Sequence, residues 1–305
     1  MGLIGWGTMG SALGELIAGG PLPIDLRRVA VRDPERARSR GVPPGAAIGP
    51  PREVIEDDGL DAVVELTGGI DEPGGWARAT LARGRPYVTA NKALLATHGG
   101  ELARIATANG AALLASASVG GATPMIELVE HLAASGRIAR LRGLLNATTT
   151  FILEAMGKGR DYGAALAEAQ AAGYAEPDPA FDVEGRDAAQ KLAILASVGW
   201  GRWRAEREVA TRGIVGVHVS PGSTVRLVAE ADEAGLRVGP TELEPTSALA
   251  AATGIEGVLE VHLRDGAVLR LSGPGAGGPV CVGAVYADLA RLVNGERPIL
   301  FGGAA

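Results

Sequence analysis

Six residues near the start of the chain, Gly5-Trp6-Gly7-Thr8-Met9-Gly10, restrict its fold more than any other stretch. They follow a short apolar run, Gly2-Leu3-Ile4, and open Met9–Ala18, whose apolar positions recur at helical spacing. A G-x-G-x-x-G between strand and helix asks for glycine for three separate reasons. The turn is tight, the backbone must approach a pyrophosphate closely, and the helix packs hard on the strand. The helix N-terminus adds unpaired N–H groups and the positive end of its dipole. The pattern therefore predicts a dinucleotide-binding unit. Only four residues precede Gly5, so the first strand must be short.

The segments that follow keep to the same plan. Val29–Val31, Ala62–Leu66, Tyr87–Thr89 and Ala111–Leu114 are apolar, and helical patterns separate them. Pro34 suits the first turn of a helix. The Gly- and Pro-rich stretch 41–51 is expected to be loop. Continuous apolar strands alternating with helices imply an α/β, Rossmann-type, doubly wound parallel sheet covered on both faces. After it the rhythm changes. A strand is expected at Arg140–Leu145, helices at Thr149–Met156, Gly163–Ala172 and Arg186–Val198, and a helix C-cap at Gly199. From Val209 the chain is strand-rich, with an antiparallel hairpin of Gly257–His262 and Ala267–Leu271 about Asp265-Gly266. A last helix is expected at Val282–Val293. The division expected is a nucleotide-binding unit over residues 1–115, with 275–305 packing back on it, and an α+β substrate and dimerisation unit over 116–274.

Composition removes other classes of function. The net charge of −6 argues against a nucleic-acid partner, whose footprint on a protein is usually basic. Aromatics at 4% leave few stacking surfaces. No apolar run reaches the roughly 18 residues of a membrane span. One cysteine, Cys281, excludes a disulfide framework within the chain and suits a reducing compartment, so the cytoplasm is expected. Four scattered histidines show no zinc spacing.

Candidate chemistry lies at strand ends and in one acidic loop. Asp33, at the end of the second strand, is placed for the ribose hydroxyls of NAD, whereas Arg32 favours the 2′-phosphate of NADP. Thr67 and Gly68 follow the third strand and are counted with the cofactor contacts. Lys92 follows Thr89-Ala90-Asn91 at the carboxyl end of a strand, where open α/β sheets bind ligands. A cation is disfavoured at a helix N-terminus, which weakens the reading of Lys92 as an ordinary surface lysine. Glu176-Pro177-Asp178-Pro179 must be extended, since each proline restricts its predecessor, and it presents carboxylates on a stiff loop. Asp182 follows, and then Asp187 and Lys191 at i, i+4 on one face of an almost wholly apolar helix. A lysine entering such a face wants a partner and suits proton transfer. Thr148, in Asn146-Ala147-Thr148-Thr149-Thr150, serves as well for capping as for binding. The loop Gly273–Gly278 offers backbone donors before the last helix.

With these motifs in order along nearly the whole chain, the sequence resembles the homoserine dehydrogenases. The match is most specific at Val88–Lys92, Ser118–Gly121 with Pro124, Asn146–Leu153, Gly173–Lys191 and Gly273–Gly278. The resemblance implies interconversion of L-homoserine and L-aspartate 4-semialdehyde with NAD or NADP. It puts the proton donor at Lys191, a second lysine between cofactor and substrate at Lys92, and substrate contacts at Glu176, Asp187 and Asp182. It puts cofactor contacts at Gly173, Gly275, Ala276 and Gly277, and a sodium ion on the main chain of Ser116, Val119, Gly121 and Thr123. It also implies a homodimer. The chain departs from the family pattern at Ser116, usually glutamate, at Thr150, usually asparagine, and at Cys281, commonly threonine. It ends at Ala305, soon after the last expected helix, so no ACT-type regulatory domain and no threonine inhibition are expected. Two alternatives stay open at this point: a dehydrogenase of another small amino acid or semialdehyde, and a silent NAD(H)-binding module.

Overall fold

The alternating N-terminal segments form one parallel sheet. The structure, a computed structural model, describes residues 1–274 and 278–301. In chain order the first unit contains β1 (Gly2–Ile4), α1 (Thr8–Gly19), β2 (Arg28–Ala30), α2 (Pro34–Ser39), β3 (Ala47–Gly49), α3 (Pro51–Glu56), β4 (Val63–Glu65), α4 (Asp71–Leu81), β5 (Tyr87–Thr89), α5 (Lys92–Asn109) and β6 (Leu113–Leu114). The strand order is β3-β2-β1-β4-β5-β6, all parallel. The order reverses between β1 and β4, and a crevice at such a switch point is where doubly wound sheets bind ligands. Leu3, Val29, Val64, Val88 and Leu114 bury one face of the strands together with Leu13 and Ile17 of α1. Each side chain of that size removed from water is worth about 1.5–3 kcal/mol.

The second unit contains α6 (Met125–Ala133), β7 (Ile138–Leu144), α7 (Ala147–Gly157), α8 (Tyr162–Ala171), α9 (Ala180–Val183), α10 (Arg186–Trp200), β8 (Val209–Thr211), β9 (Val225–Asp232), β10 (Gly235–Glu242), α11 (Ala248–Ala251), β11 (Glu256–Leu263) and β12 (Val268–Pro274). Its mixed sheet runs β12-β11-β7-β9-β10-β8. The expected hairpin of β11 and β12 pairs in antiparallel register, Leu259 opposite Leu271. On one face Arg237, Glu230, Arg142, Glu260 and Arg270 stand directly opposite one another across five strands, alternating in sign. The chain then returns to the first unit through α12 (Gly278–Val293), whose Val282, Val285 and Leu289 complete that core. Leu113 bridges to Ile299 in parallel, extending the first sheet beyond β6.

The compact units are residues 1–122 with 277–305, and residues 123–276. The first runs through the turn at Ser116–Ser118, because Asp288 of α12 holds that turn. Two local expectations are corrected. The stretch 41–51 contains β3, an edge strand of three residues that pairs in parallel with β2 and both donates to and accepts from that side. The helix from Arg186 passes through Gly199 and stops at Gly201, which has the left-handed φ of 60° that a C-cap needs. Gly199 stays helical because it faces Val129, Leu141 and Ile138, where a larger residue would crowd.

Candidate active site

In the first unit the glycine motif does what its spacing requires. Gly5 has φ +104° and a Cβ on Gly10 would collide with the Gly5 carbonyl oxygen, so neither position admits a side chain. Gly7, the N-cap of α1, has open space where a Cβ would be, and no side chain caps that helix. The first-turn donors contributed by Thr8, Met9 and Gly10 are therefore available to an anion. A pocket of about 470 Å³ lies over this end of the helix, lined by Gly5, Gly7, Thr67, Gly68, Arg32 and Asp33 among others. A bare helix N-terminus, a glycine floor and an adjoining crevice of this size fit a nicotinamide dinucleotide. Asp33 is the N-cap of α2 and accepts from the Arg36 N–H at 3.0 Å through Oδ1. Arg36 and Arg40 line the same pocket, and the Arg40 carbonyl accepts from the Trp6 indole at 3.1 Å.

Two loops leave the carboxyl ends of β4 and β5. Glu65, fully buried, closes β4 and accepts from Thr67 N–H at 2.6 Å, Thr67 Oγ1 at 2.6 Å and Gly68 N–H at 3.1 Å. Its other oxygen accepts from Thr89 Oγ1 at 2.7 Å. Burial pushes the Tyr87 hydroxyl pKa well up, and the nearby Glu65 adds to it. Asn91 caps α5 by accepting from Leu94 N–H, which makes Lys92 the first helical residue.

The second unit assembles its candidates around one lysine. Asp187 and Lys191 share a face of α10, and Lys191 Nζ lies 2.8 Å from Asp187 Oδ2, both side chains largely buried. The same ammonium donates to the Leu145 carbonyl at 2.8 Å. Asn146, the N-cap of α7, donates from Nδ2 to Asp182 Oδ1 at 2.7 Å and to Asp187 Oδ2 at 2.8 Å. Its Oδ1 accepts from Thr149 N–H. Thr148 Oγ1 contacts the Tyr174 carbonyl at 2.7 Å and Asp182 Oδ2 at 3.1 Å. Lys191, Asp187, Asp182 and Thr148 are thus one hydrogen-bonded cluster. Glu176 and Gly173 lie on the adjoining loop, both exposed, and the Glu176 carbonyl accepts from Gln170. Gly275, Ala276 and Gly277 lie outside the described residues.

Ser116, Val119 and Gly121 belong to the first unit and Thr123 to the second. Ser116 gives both its N–H (2.9 Å) and its Oγ (2.5 Å) to Asp288, so its carbonyl is what it can offer a cation. Among the described residues, no three His, Cys, Asp or Glu side chains are grouped to hold a metal ion. No helix among them is long and apolar enough to cross a membrane.

Sequence comparison agrees with both halves of this arrangement. Residues 5–116 match the profile of the homoserine dehydrogenase NAD-binding domain, and residues 124–290 match that of homoserine dehydrogenase itself. The chain belongs to the homoserine dehydrogenase family. The Corynebacterium glutamicum homoserine dehydrogenase is 36% identical, covering 99% of this chain and 73% of its own. The Bacillus subtilis homoserine dehydrogenase is 32% identical over 97% of this chain and 73% of its own. Among solved structures, a homoserine dehydrogenase from Thiobacillus denitrificans superposes with a TM-score of 0.88 at 32% identity, covering 96% of this chain and 72% of that one. A hyperthermophilic archaeal homoserine dehydrogenase in complex with NADPH gives 0.86 at 27% identity, with 98% of each chain covered. As a member of this family the chain is an oxidoreductase that uses NAD or NADP.

Two polar residues stand out that the motif reading had not singled out for the homoserine dehydrogenase site. Asn146, in a stretch open to either capping or ligand binding, is the N-cap of α7, and its amide also bridges two carboxylates 36 and 41 residues away. Glu65 lies inside the expected strand Ala62–Leu66, where the motifs give it no role. An acid directly before Thr-Gly-Gly was the available signal, since a glycine turn exposes N–H groups that a carboxylate can gather.

Proposed function

We propose that this chain interconverts L-homoserine and L-aspartate 4-semialdehyde, with Lys191 moving the proton. The observation that carries the assignment is the partial engagement of Lys191: two of its three donors are used, by Leu145 and Asp187, which leaves one to reach a substrate oxygen. The nicotinamide, when bound, supplies or receives the hydride. In the reducing direction Lys191 holds the aldehyde oxygen and delivers its proton as negative charge develops there. In the oxidising direction it takes the hydroxyl proton. Asp187 keeps the ammonium oriented, and Asp182, Thr148 and Glu176 offer acceptors for the ammonium end of the amino acid. The family resemblance assigns Lys92, at the head of α5, as the second lysine, between cofactor and substrate.

Gly5, Gly7, Thr8, Met9, Gly10, Thr67 and Gly68 would hold the dinucleotide phosphates and the backbone around them. At the ribose end, Arg32, Arg36 and Arg40 line the pocket against Asp33, one of whose oxygens is engaged as a cap. That balance supports NADP(H) over NAD(H). The sodium ion implied by the family would rest on main-chain oxygens of Ser116, Val119, Gly121 and Thr123, the oxygen type that hard cations prefer. The family likeness further supports a homodimer and a cytoplasmic setting, the latter in keeping with the lone cysteine.

The test is oxidation of L-homoserine by purified protein, followed at 340 nm with each cofactor in turn. Turnover several-fold faster with NADP than with NAD is expected. Cofactor binding with no turnover of homoserine, but turnover of another small amino alcohol, would replace the substrate assignment. Light scattering at micromolar protein should give the mass of two chains.

A further inference from the structure

Glu65 takes no part in the chemistry set out above, yet it is fully buried at the carboxyl end of β4, beside the switch point of the sheet. One oxygen collects three donors from the turn that follows it, where Gly68 and Gly69 have φ of +99° and +87°. The other accepts from Thr89 at the end of β5. Thr89 Oγ1 in turn accepts from the Asn91 N–H at 3.0 Å, and Asn91 Nδ2 returns to the Gly69 carbonyl at 2.7 Å. These contacts close a ring through two loops 20 residues and more apart in sequence. Asn91 belongs to both the ring and the helix, for its Oδ1 is the cap of α5. The residue after it is Lys92.

We propose that Glu65 is a positioning residue of the active site, joining the β4 and β5 loops so that the backbone carrying Lys92 is held in one place. The proposal rests on the reading that Lys92 works on the reacting oxygen. A carboxylate is suited to this task because its two oxygens face different partners and all four contacts use them as acceptors. Hydrophobic packing alone would leave the polar turn Thr67–Gly69 free to shift, because its N–H groups would have no protein partner. Each bond in the ring contributes only modestly by itself. Together they convert two flexible turns into a single frame, and misplacing a catalytic group by about an ångström is enough to cost about a hundredfold in rate.

Thr89→Val separates this role from general stability, since valine has the same shape in a buried strand and removes only the hydroxyl that links Glu65 to Asn91. The variants T89V, E65A, E65Q, K92A and the doubles T89V/K92A and E65A/K92A would be compared for kcat with L-homoserine, for cofactor Kd by tryptophan fluorescence, and for Tm. T89V should lower kcat about tenfold, the scale of one lost hydrogen bond in a catalytic frame, while cofactor Kd stays within about threefold. E65A should lower kcat more and weaken the cofactor too, whereas E65Q, which keeps an acceptor for the turn and a polar partner for Thr89, should recover most of the loss. In the K92A background the T89V loss should shrink below about twofold, because a frame for an absent lysine has nothing to position, while E65A should keep only the part that acts through the cofactor turn. Equal fold-losses with and without Lys92, or wild-type kcat in T89V, would overturn the proposal. If K92A itself turns over at the wild-type rate, the assigned role of Lys92 falls first, and that result is read from K92A alone. Should E65A fail to fold, the T89V pair still decides.

Discussion

Asn146→Asp is a one-atom test of how the lysine site is held together. The wild-type amide donates to Asp182 at 2.7 Å and to Asp187 at 2.8 Å, so it keeps two carboxylates side by side. Aspartate is as good an N-cap as asparagine, so the bond from Thr149 N–H survives and the start of α7 is not the variable. What changes is that a donor becomes an acceptor between two acids. Two hydrogen bonds to charged groups, at about 1.5–3 kcal/mol each, put the loss at about 3–6 kcal/mol. The cluster has a cheaper escape, which is to bind one proton. Keeping a carboxyl protonated at pH 7.5, about 3.6 units above its ordinary pKa, costs about 5 kcal/mol at 1.36 kcal/mol per unit and so caps the loss. The expected destabilisation at pH 7.5 is therefore about 3–5 kcal/mol. The sign with pH follows from the extra proton. The folded variant holds one that the unfolded chain has released, so its deficit against wild type should shrink as pH falls, by up to about 2.7 kcal/mol between pH 7.5 and 5.5. Urea unfolding of both proteins at the two pH values measures this. A deficit under about 1 kcal/mol at pH 7.5, or one that does not change with pH, would refute the clamp. The kcat should fall by at least about tenfold, since Asp187 orients Lys191.

Further outcomes are expected. Lys191→Ala should cut kcat at least about a hundredfold while NADP(H) affinity stays near wild type, measured by fluorescence titration; a fully active variant would remove the mechanism. Gly10→Ala should abolish cofactor binding or folding of the first unit, because its Cβ meets the Gly5 carbonyl, a backbone atom that cannot turn aside; binding retained within about twofold would contradict the close packing of α1 on β1. Burial works to raise the Glu154 carboxyl, but hydrogen bonds from Lys158 and the Gly254 N–H outweigh it and hold its pKa below the ordinary value of 4.5. Its contribution to stability is thus complete above about pH 4.5 and lost as pH falls through the lowered value. Glu154→Gln should lower Tm at pH 7 by an amount that shrinks as pH falls below 4.5, and a difference that stays constant as the pH is lowered would count against the pairing.

Much of the site was legible along the chain because its parts obey local rules. Asp187 and Lys191 are four residues apart on a helix, and helical geometry alone brings them together. Gly5, Gly7 and Gly10 announce a turn with a left-handed backbone at Gly5 and a close helix–strand approach at Gly10 that no side chain permits. Glu176 was legible only as part of a stiff acidic loop, and its carboxylate lies exposed outside the hydrogen-bonded cluster. The strand β3 escaped notice because an edge strand of three residues has too little burial to leave a period in the sequence. Gly199 looked like a helix end for want of knowing that α6 and β7 pack against it.

The parallel sheet with its glycine turn and the helix that carries Lys191 can be read along the chain. Those features follow from spacing of 2 or 3.6 residues and from the turns that glycine and proline allow, all of which act between near neighbours. That Asn146 bridges Asp182 and Asp187, that Leu145 shares Lys191 with Asp187, and that Glu65 joins two loops emerges only once the chain is folded. Asn146 lies 36 residues from Asp182, and Glu65 lies 24 from Thr89. Pairing over such distances depends on which strands become neighbours, and that choice is made by burying whole faces of sheet and helix rather than by any residue's own preference.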